Sequence, residues 1–291
     1  MIIVKLMGGL GNQMFQYALG RSLSITNSCV LKIDASAYRT YKTHAYGLDA
    51  FSPAADTASE AECDAIRYKK CGVIELAVRK VLGRQRRRAG DYITEKSFKF
   101  DPDILKLTGD KYLEGYWQSE KYFASIRDVL TADFTVRHGM NAANSAFHER
   151  IKGTNSVSFH IRRGDYVSDP KTNAYHGVDL KGYYRDAAAL IKQKVKDPHF
   201  FVFSDEPQWV RENFRGEFEF TVVDCNTGRT GHEDMRLMSA CSHNIMANSS
   251  FSWWGAWLNR NPGKIVTAPK GWFTDSSIDT SDLIPGSWIR L

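Results

Sequence analysis

The 291-residue chain is poor in the features that would tie it to a bilayer, a disulfide framework or a structural metal. No apolar stretch approaches the roughly 20 residues that a membrane span needs. Its five cysteines, Cys29, Cys63, Cys71, Cys225 and Cys241, form no Cys-x-x-Cys pair and no zinc-ligand spacing. A scattered, odd set of this kind reads as reduced thiols in a cytoplasm. The first six residues run straight into a strand-like sequence, which leaves no room for a signal peptide. Internal repeats and low-complexity tracts are missing. So is any Asp-x-Asp pair in the second half that would clamp a divalent cation, since Asp279 and Asp282 have the wrong spacing.

What remains is globular. Hydrophobic residues make up 43% and charged residues 25%, as expected of a packed, water-exposed fold. The length suits two domains of ordinary size. Seven Trp, thirteen Tyr and sixteen Phe supply both core volume and flat faces for stacking on sugars or bases. A formal charge of +6 favours anionic partners without naming them.

Strands and helices alternate along the chain. Residues 2–6 read as a strand, Gly8-Gly9-Leu10-Gly11 as a loop, 12–24 as a helix and 29–33 as a strand ending at Asp34, a βαβ unit. Residues 59–82 read as one helix, with Ile74, Ala77, Val78, Val81 and Leu82 at i, i+3, i+4, i+7 and i+8. The basic run 84–88 follows, and the whole is suited to peripheral contact with an anionic leaflet; a domain-packing helix with a solvated tail has the same pattern. A polar stretch at 141–155 marks a domain boundary, giving domains 1–153 and 154–291. Beyond it, strands are expected at 157–162, 200–203, 221–223, 244–247 and 265–268, and helices at 181–194, 233–241 and 250–259. The fold class is therefore α/β, with two Rossmann-type doubly wound domains facing each other and the active site in the cleft between them.

Three segments carry chemistry. In Val157-Ser158-Phe159-His160-Ile161-Arg162-Arg163-Gly164-Asp165-Tyr166, strand alternation puts Ser158, His160 and Arg162 on one face. A parallel strand is normally apolar on both faces, and an unpartnered polar or cationic group there is costly. A guanidinium fork at the strand's carboxyl end suits a pyrophosphate, although a structural Arg–Asp pair would also explain it. In Asn248-Ser249-Ser250-Phe251, a strand meets a helix start whose amides and positive dipole end favour anions. Phe203-Ser204-Asp205-Glu206 ends a strand with two carboxylates; Asp205 could accept two hydrogen bonds from a guanine edge or simply cap a helix.

In this order, and with Gly8-Gly9-Leu10-Gly11-Asn12-Gln13-Met14-Phe15-Gln16 at the start, these segments resemble the bacterial alpha-1,2-fucosyltransferases of glycosyltransferase family 11. His160 to Tyr166 matches every fixed position of that family's His-x-Arg-Arg-x-Asp-Tyr motif, and Gly115-Tyr116-Trp117-Gln118-Ser119 and residues 233–239 also look familial. The resemblance implies a GT-B architecture, an acceptor-side first domain and a second domain that binds GDP-L-fucose. It implies inverting transfer of L-fucose to the 2-hydroxyl of a galactose-containing glycan, in glycan or surface-polysaccharide synthesis, with no metal or other cofactor. Carried over by position, Arg162 would hold the pyrophosphate with Arg163 beside it. His160 and Asp205 would contact guanosine. Ser249, Ser250 and Phe251 would donate to the phosphates, and Asn12 and Gly11 would face the donor from the first domain. Asp165 is the expected base for the acceptor hydroxyl, with Asp34 and His176 as lesser candidates; pairing with arginine would make Asp165 a weak base.

Two rival classes match parts of the pattern. Gly9-x-Gly11 after a strand and Asp34 after the next imitate a dinucleotide fingerprint, the mark of an NAD-dependent oxidoreductase. That reading fails at Met14, where a small residue is required, and leaves the arginine pair without a task. A nucleic-acid module is also disfavoured, because aromatics beside basic residues, as in Tyr38-Arg39-Thr40-Tyr41-Lys42, do not form an RNA-recognition signature.

Overall fold

A computed structural model describes the chain except for residues 42, 70, 71, 73–80, 82–87, 216 and 217. It divides into two compact units, Met1–Phe134 and Thr135–Leu291.

The first unit is built on strands β1 (Ile2–Lys5), β2 (Leu31–Asp34), β3 (Asp56–Thr57), β4 (Tyr92–Thr94) and β5 (Lys111–Glu114). They form one all-parallel sheet in the order β3-β2-β1-β5-β4. Helix Leu10–Thr26 leaves the carboxyl end of β1 and is buried on most of its circumference, which its apolar content permits. Strands β4 and β5 are not legible in the sequence pattern. Each is three or four residues long, too short for alternation to register. Yet β5 is central, pairing with β1 from Ile2↔Lys111 to Val4↔Leu113. It places Gly115-Tyr116-Trp117-Gln118 beside the glycine loop.

The second unit holds β6 (Asn155–Ile161), β7 (Pro198–Ser204), β8 (Phe220–Val223), β9 (His243–Ile245), β10 (Val266–Ala268) and β11 (Ile289–Arg290). Their parallel order is β11-β10-β9-β6-β7-β8, the doubly wound Rossmann order, with its switch point between β6 and β9. Val157, Phe159 and Ile161 pack with Tyr183, Ala187 and Ile191 of helix Lys181–Lys194. On the opposite face, Phe201 and Phe203 pack with Leu237 and Met238 of helix Gly231–Ala240. Buried Ser158 is satisfied there by the Asn244 side-chain amide at 2.7 Å.

Two expectations are corrected. The helix starting at Glu60 ends at Arg67, because Tyr68 turns extended and bridges Arg88 antiparallel. Its start is as legible as expected, a capping box between Ser59 and Glu62. The proposed stripe Ile74, Ala77, Val78 and Leu82 and most of the basic run lie outside the described residues; Val81 is described and is exposed. Second, the units part at Phe134/Thr135 rather than at 153/154. The polar stretch hides helix Ala142–Lys152, whose Asn144 amide pairs with Asn226 of the second unit at 2.9 Å. Among the described residues, no helix is long and apolar enough to cross a membrane.

Candidate functional site

The switch point of the second sheet gathers the carboxyl end of β6 and the segment after β9, two of the three segments singled out from sequence. In open α/β sheets this crevice is where ligands bind. Arg162 is the centre of it. Its Nη2 donates to Asp165 Oδ1 at 2.5 Å, and its Nη1 lies 2.8 Å from Asp205 Oδ2. Burial alone would lower the guanidinium's pKa, but Asp205 and Asp165 hold it above the ordinary value, so it stays charged. A quarter of its side chain remains exposed.

Asp205 is shared by both arginines, since its Oδ1 accepts the Arg163 backbone N–H at 2.9 Å. Gly164 makes room for this arrangement: a Cβ there would lie 2.4 Å from Asp205 Oδ2. The Arg163 side chain turns elsewhere. Its Nε donates to Glu206 Oε2 at 2.9 Å and its guanidinium lies 3.6 Å from the Trp209 ring centre. The structure therefore joins Arg162, Asp165 and Asp205, and makes Arg163 a brace onto helix Pro207–Asn213.

His160 follows Arg162's strand face and is 4% exposed. Burial, then the Arg162 charge, pushes its pKa down to about 3, so it is neutral. Its Nδ1 is buried without a hydrogen-bond partner, and its ring lies 5.7 Å from that of Phe251. Ser249 caps helix Ser250–Leu258, its hydroxyl accepting the Phe251 N–H at 3.3 Å. Phe251 therefore keeps its amide for the cap in this state, and Ser250 is half-buried next to it.

Sequence reasoning gave too little weight to Tyr166 and His176. The Tyr166 ring lies under the Arg162 guanidinium at 5.5 Å and stacks on His176 at 4.8 Å and 9°. Its hydroxyl donates to the Asn248 carbonyl at 3.1 Å, while the Asn248 side chain donates to the His176 and Trp272 carbonyls. Tyr166 thus ties the two segments together; its fixed place in the arginine motif was the available signal. Burial lowers the His176 pKa to about 4, with Asp165 opposing and Arg162 reinforcing the shift. Its Nδ1 is also buried and unpaired.

In the first unit Asn12 and Gly11 stand in the first turn of helix Leu10–Thr26, and Asn12 Oδ1 accepts from Gln118 Nε2 at 2.8 Å. Asp34 is fully engaged: Ser36 N–H reaches Oδ1 at 3.0 Å and the Tyr112 hydroxyl reaches Oδ2 at 2.5 Å. Burial would raise its pKa, but these donors hold it below the ordinary value. Each oxygen thus holds one structural hydrogen bond, which ties Asp34 to the start of the following loop and to β5. Among the described residues, buried atoms without a hydrogen-bond partner include Trp117 Nε1 and Gln118 Oε1 after β5 in one unit, and His160 Nδ1 and His176 Nδ1 in the other. Such groups in a folded protein call for a ligand or water.

The model of "Glycosyl transferase family 11" matches residues 87–290. An alpha-1,2-colitosyltransferase of Escherichia coli is 33% identical across 100% of this chain and 98% of its own length. Rat galactoside alpha-(1,2)-fucosyltransferase 2 is 26% identical over 89% of this chain and 67% of its own. Among solved structures, fucosyltransferase NodZ from Bradyrhizobium is similar with a TM-score of 0.50 and 14% identity, over 87% of this chain and 91% of that one. That likeness concerns fold alone, and the fold class is GT-B-like: two Rossmann-type units in one chain.

Proposed function

We propose, since the chain belongs to glycosyl transferase family 11, that it moves L-fucose from GDP-L-fucose to the 2-hydroxyl of a galactoside, inverting the anomeric centre. The observation that carries this reading is Arg162, a charged and partly exposed guanidinium at a Rossmann switch point. As the acceptor oxygen attacks the anomeric carbon, the bond to the diphosphate breaks and negative charge builds on departing GDP. Arg162 answers that charge, helped by the amino end of helix Ser250–Leu258. These positive groups stand in for a metal, and the reaction runs without one.

Donor binding requires Arg162 to exchange a carboxylate for phosphate oxygens. Asp165 is then released close to the reacting centre, where it takes the acceptor proton. His160 offers its neutral ring to the nucleoside. A guanine contact by Asp205 requires it to leave Arg162 and the Arg163 N–H. A second reading rests on the colitosyltransferase relative: the donor sugar lacks the 3-hydroxyl that fucose carries.

The test is GDP release from GDP-fucose and GDP-colitose with methyl β-galactoside, in EDTA, followed by NMR assignment of the linkage. Fucosyl transfer to O2, unaffected by EDTA, is expected. A kcat/KM favouring GDP-colitose replaces the donor sugar; no transfer from either donor overturns the proposal.

A further inference from the structure

The first unit has a switch point of its own, between β1 and β5, and an unusual set of rings collects there. Four come from the loop after β2: Tyr38, Tyr41, His44 and Tyr46. Tyr38 meets Tyr41 edge-on at 5.9 Å and Tyr46 at 6.2 Å, while His44 lies 5.9 Å from Tyr41. Tyr116, from the segment after β5, stacks on Phe98 at 6.2 Å and 8°. None of the six is fully buried, and Tyr41 is 44% exposed. Apolar volume placed this way does little for a core.

The loop is braced on either side of Tyr41, at Tyr38 and at residues 45 and 47. Gln13 Nε2 donates to the Ala45 and Gly8 carbonyls at 2.9 and 3.1 Å, and Gln13 Oε1 accepts the Gly47 N–H at 2.9 Å. The Tyr38 hydroxyl donates to the Gly8 carbonyl at 2.7 Å. Gly8 must be glycine, with φ at +76°. Such bracing presents ring faces in fixed positions, so little ordering is needed on binding.

We infer that this cluster is a pyranoside platform that receives the acceptor sugar, with Tyr41 as its stacking face. Aromatic faces carry negative charge and take up the polarised C–H groups of a sugar, while phenol hydroxyls serve its oxygens. A galactopyranoside fits best, because its axial 4-hydroxyl leaves one face with contiguous C–H groups. A dinucleotide is disfavoured at this point: the His44 ring packs over Gly9, where a pyrophosphate would approach the helix start, at 3.6 Å from a Cβ position. The inference rests on the glycosyl-transfer reading for its biological sense, but its physical test does not.

Tyr41→Ala should raise KM for methyl β-galactoside about tenfold or more, Tyr41→Phe should stay near wild type, and the GDP-induced rise in Tm should be unchanged in both. Saturation-transfer NMR on the wild type without donor should show methyl β-galactoside bound by its C3–C5 face, with the signal lost in Tyr41→Ala and weaker for the glucoside. If the wild type transfers no sugar from any donor, the functional reading fails while the NMR arm still decides the platform. An undiminished NMR signal in folded Tyr41→Ala, or an acceptor KM within about twofold of wild type, overturns it.

Discussion

At the scale of single residues, Arg162 and Arg163 are adjacent in sequence and unlike in task. Arg162 has its two terminal nitrogens between Asp165 and Asp205, and in the proposed mechanism its hold on a leaving diphosphate would grow as charge develops in the transition state. Arg162→Lys keeps the charge and loses the planar fork, so kcat should fall on the order of 100-fold or more, as for comparable transition-state donors. Arg163→Lys should leave kcat within a few fold and lower stability instead, because the side chain's partners are Glu206 and the Trp209 face. Steady-state kinetics with GDP-fucose and urea unfolding of both variants would separate the roles. A folded Arg162→Lys with wild-type kcat would falsify the leaving-group role.

At the scale of elements, the glycine-loop motif is a structural brace. Gln16 is wholly buried on helix Leu10–Thr26, accepting the Met7 N–H at 3.0 Å and donating to the Gly115 carbonyl at 3.1 Å. It stitches the end of β1 to the end of β5, as Gln13 stitches the glycine loop to residues 45 and 47. Gln16→Leu leaves two buried backbone groups unpaired, each at about 1–3 kcal/mol. The expected loss in unfolding free energy is therefore at least about 2 kcal/mol. Gln208→Leu, which removes an exposed bond to Glu212, should stay within about 0.5 kcal/mol. Equal effects from the two substitutions would show that the brace contributes nothing special.

At the scale of the whole molecule, two buried groups of the second unit oppose each other in acid. His160 has its pKa depressed to about 3, so its contribution is complete above the unfolded value near 6.5 and is lost as the pH falls. Asp234 has its pKa raised to about 7, mainly by burial, although the Asn226 amide donates to it. Its ionised form is the disfavoured one, so acidification from pH 7 relieves the fold. Between pH 7 and 5 each effect is about 2 kcal/mol and of opposite sign, so the two offset each other; His176, depressed to about 4, adds a loss of similar size, and the wild type weakens in acid. Relative to the wild type, Asp234→Asn should steepen the acid loss by about 2 kcal/mol and His160→Asn should reduce it by about as much. Chemical unfolding at pH 5, 6 and 7 checks both signs; matching slopes in the two variants would count against the assignment.

The sequence by itself determined the parts that are local and strongly patterned. Helix Lys181–Lys194 is legible to the residue, five of the second unit's six strands are legible as elements, and the arginine motif and the Ser249 cap fall at the expected strand ends. Alternation and capping are encoded within a few residues, so they survive without knowledge of neighbours. Only the tertiary structure decided matters of partnership. Short β4 and β5 take their identity from the sheet that accepts them. Tyr68 abandons the helix because Arg88, twenty residues on, offers a bridge. The boundary moved to Phe134/Thr135 because a polar helix carries a buried asparagine pair to Asn226. Which carboxylates hold Arg162, why Arg163 turns to Trp209, and how Tyr166 joins β6 to the segment after β9 all depend on contacts between residues far apart in the chain. Periodicity has no access to those distances, whereas folding sets every one of them.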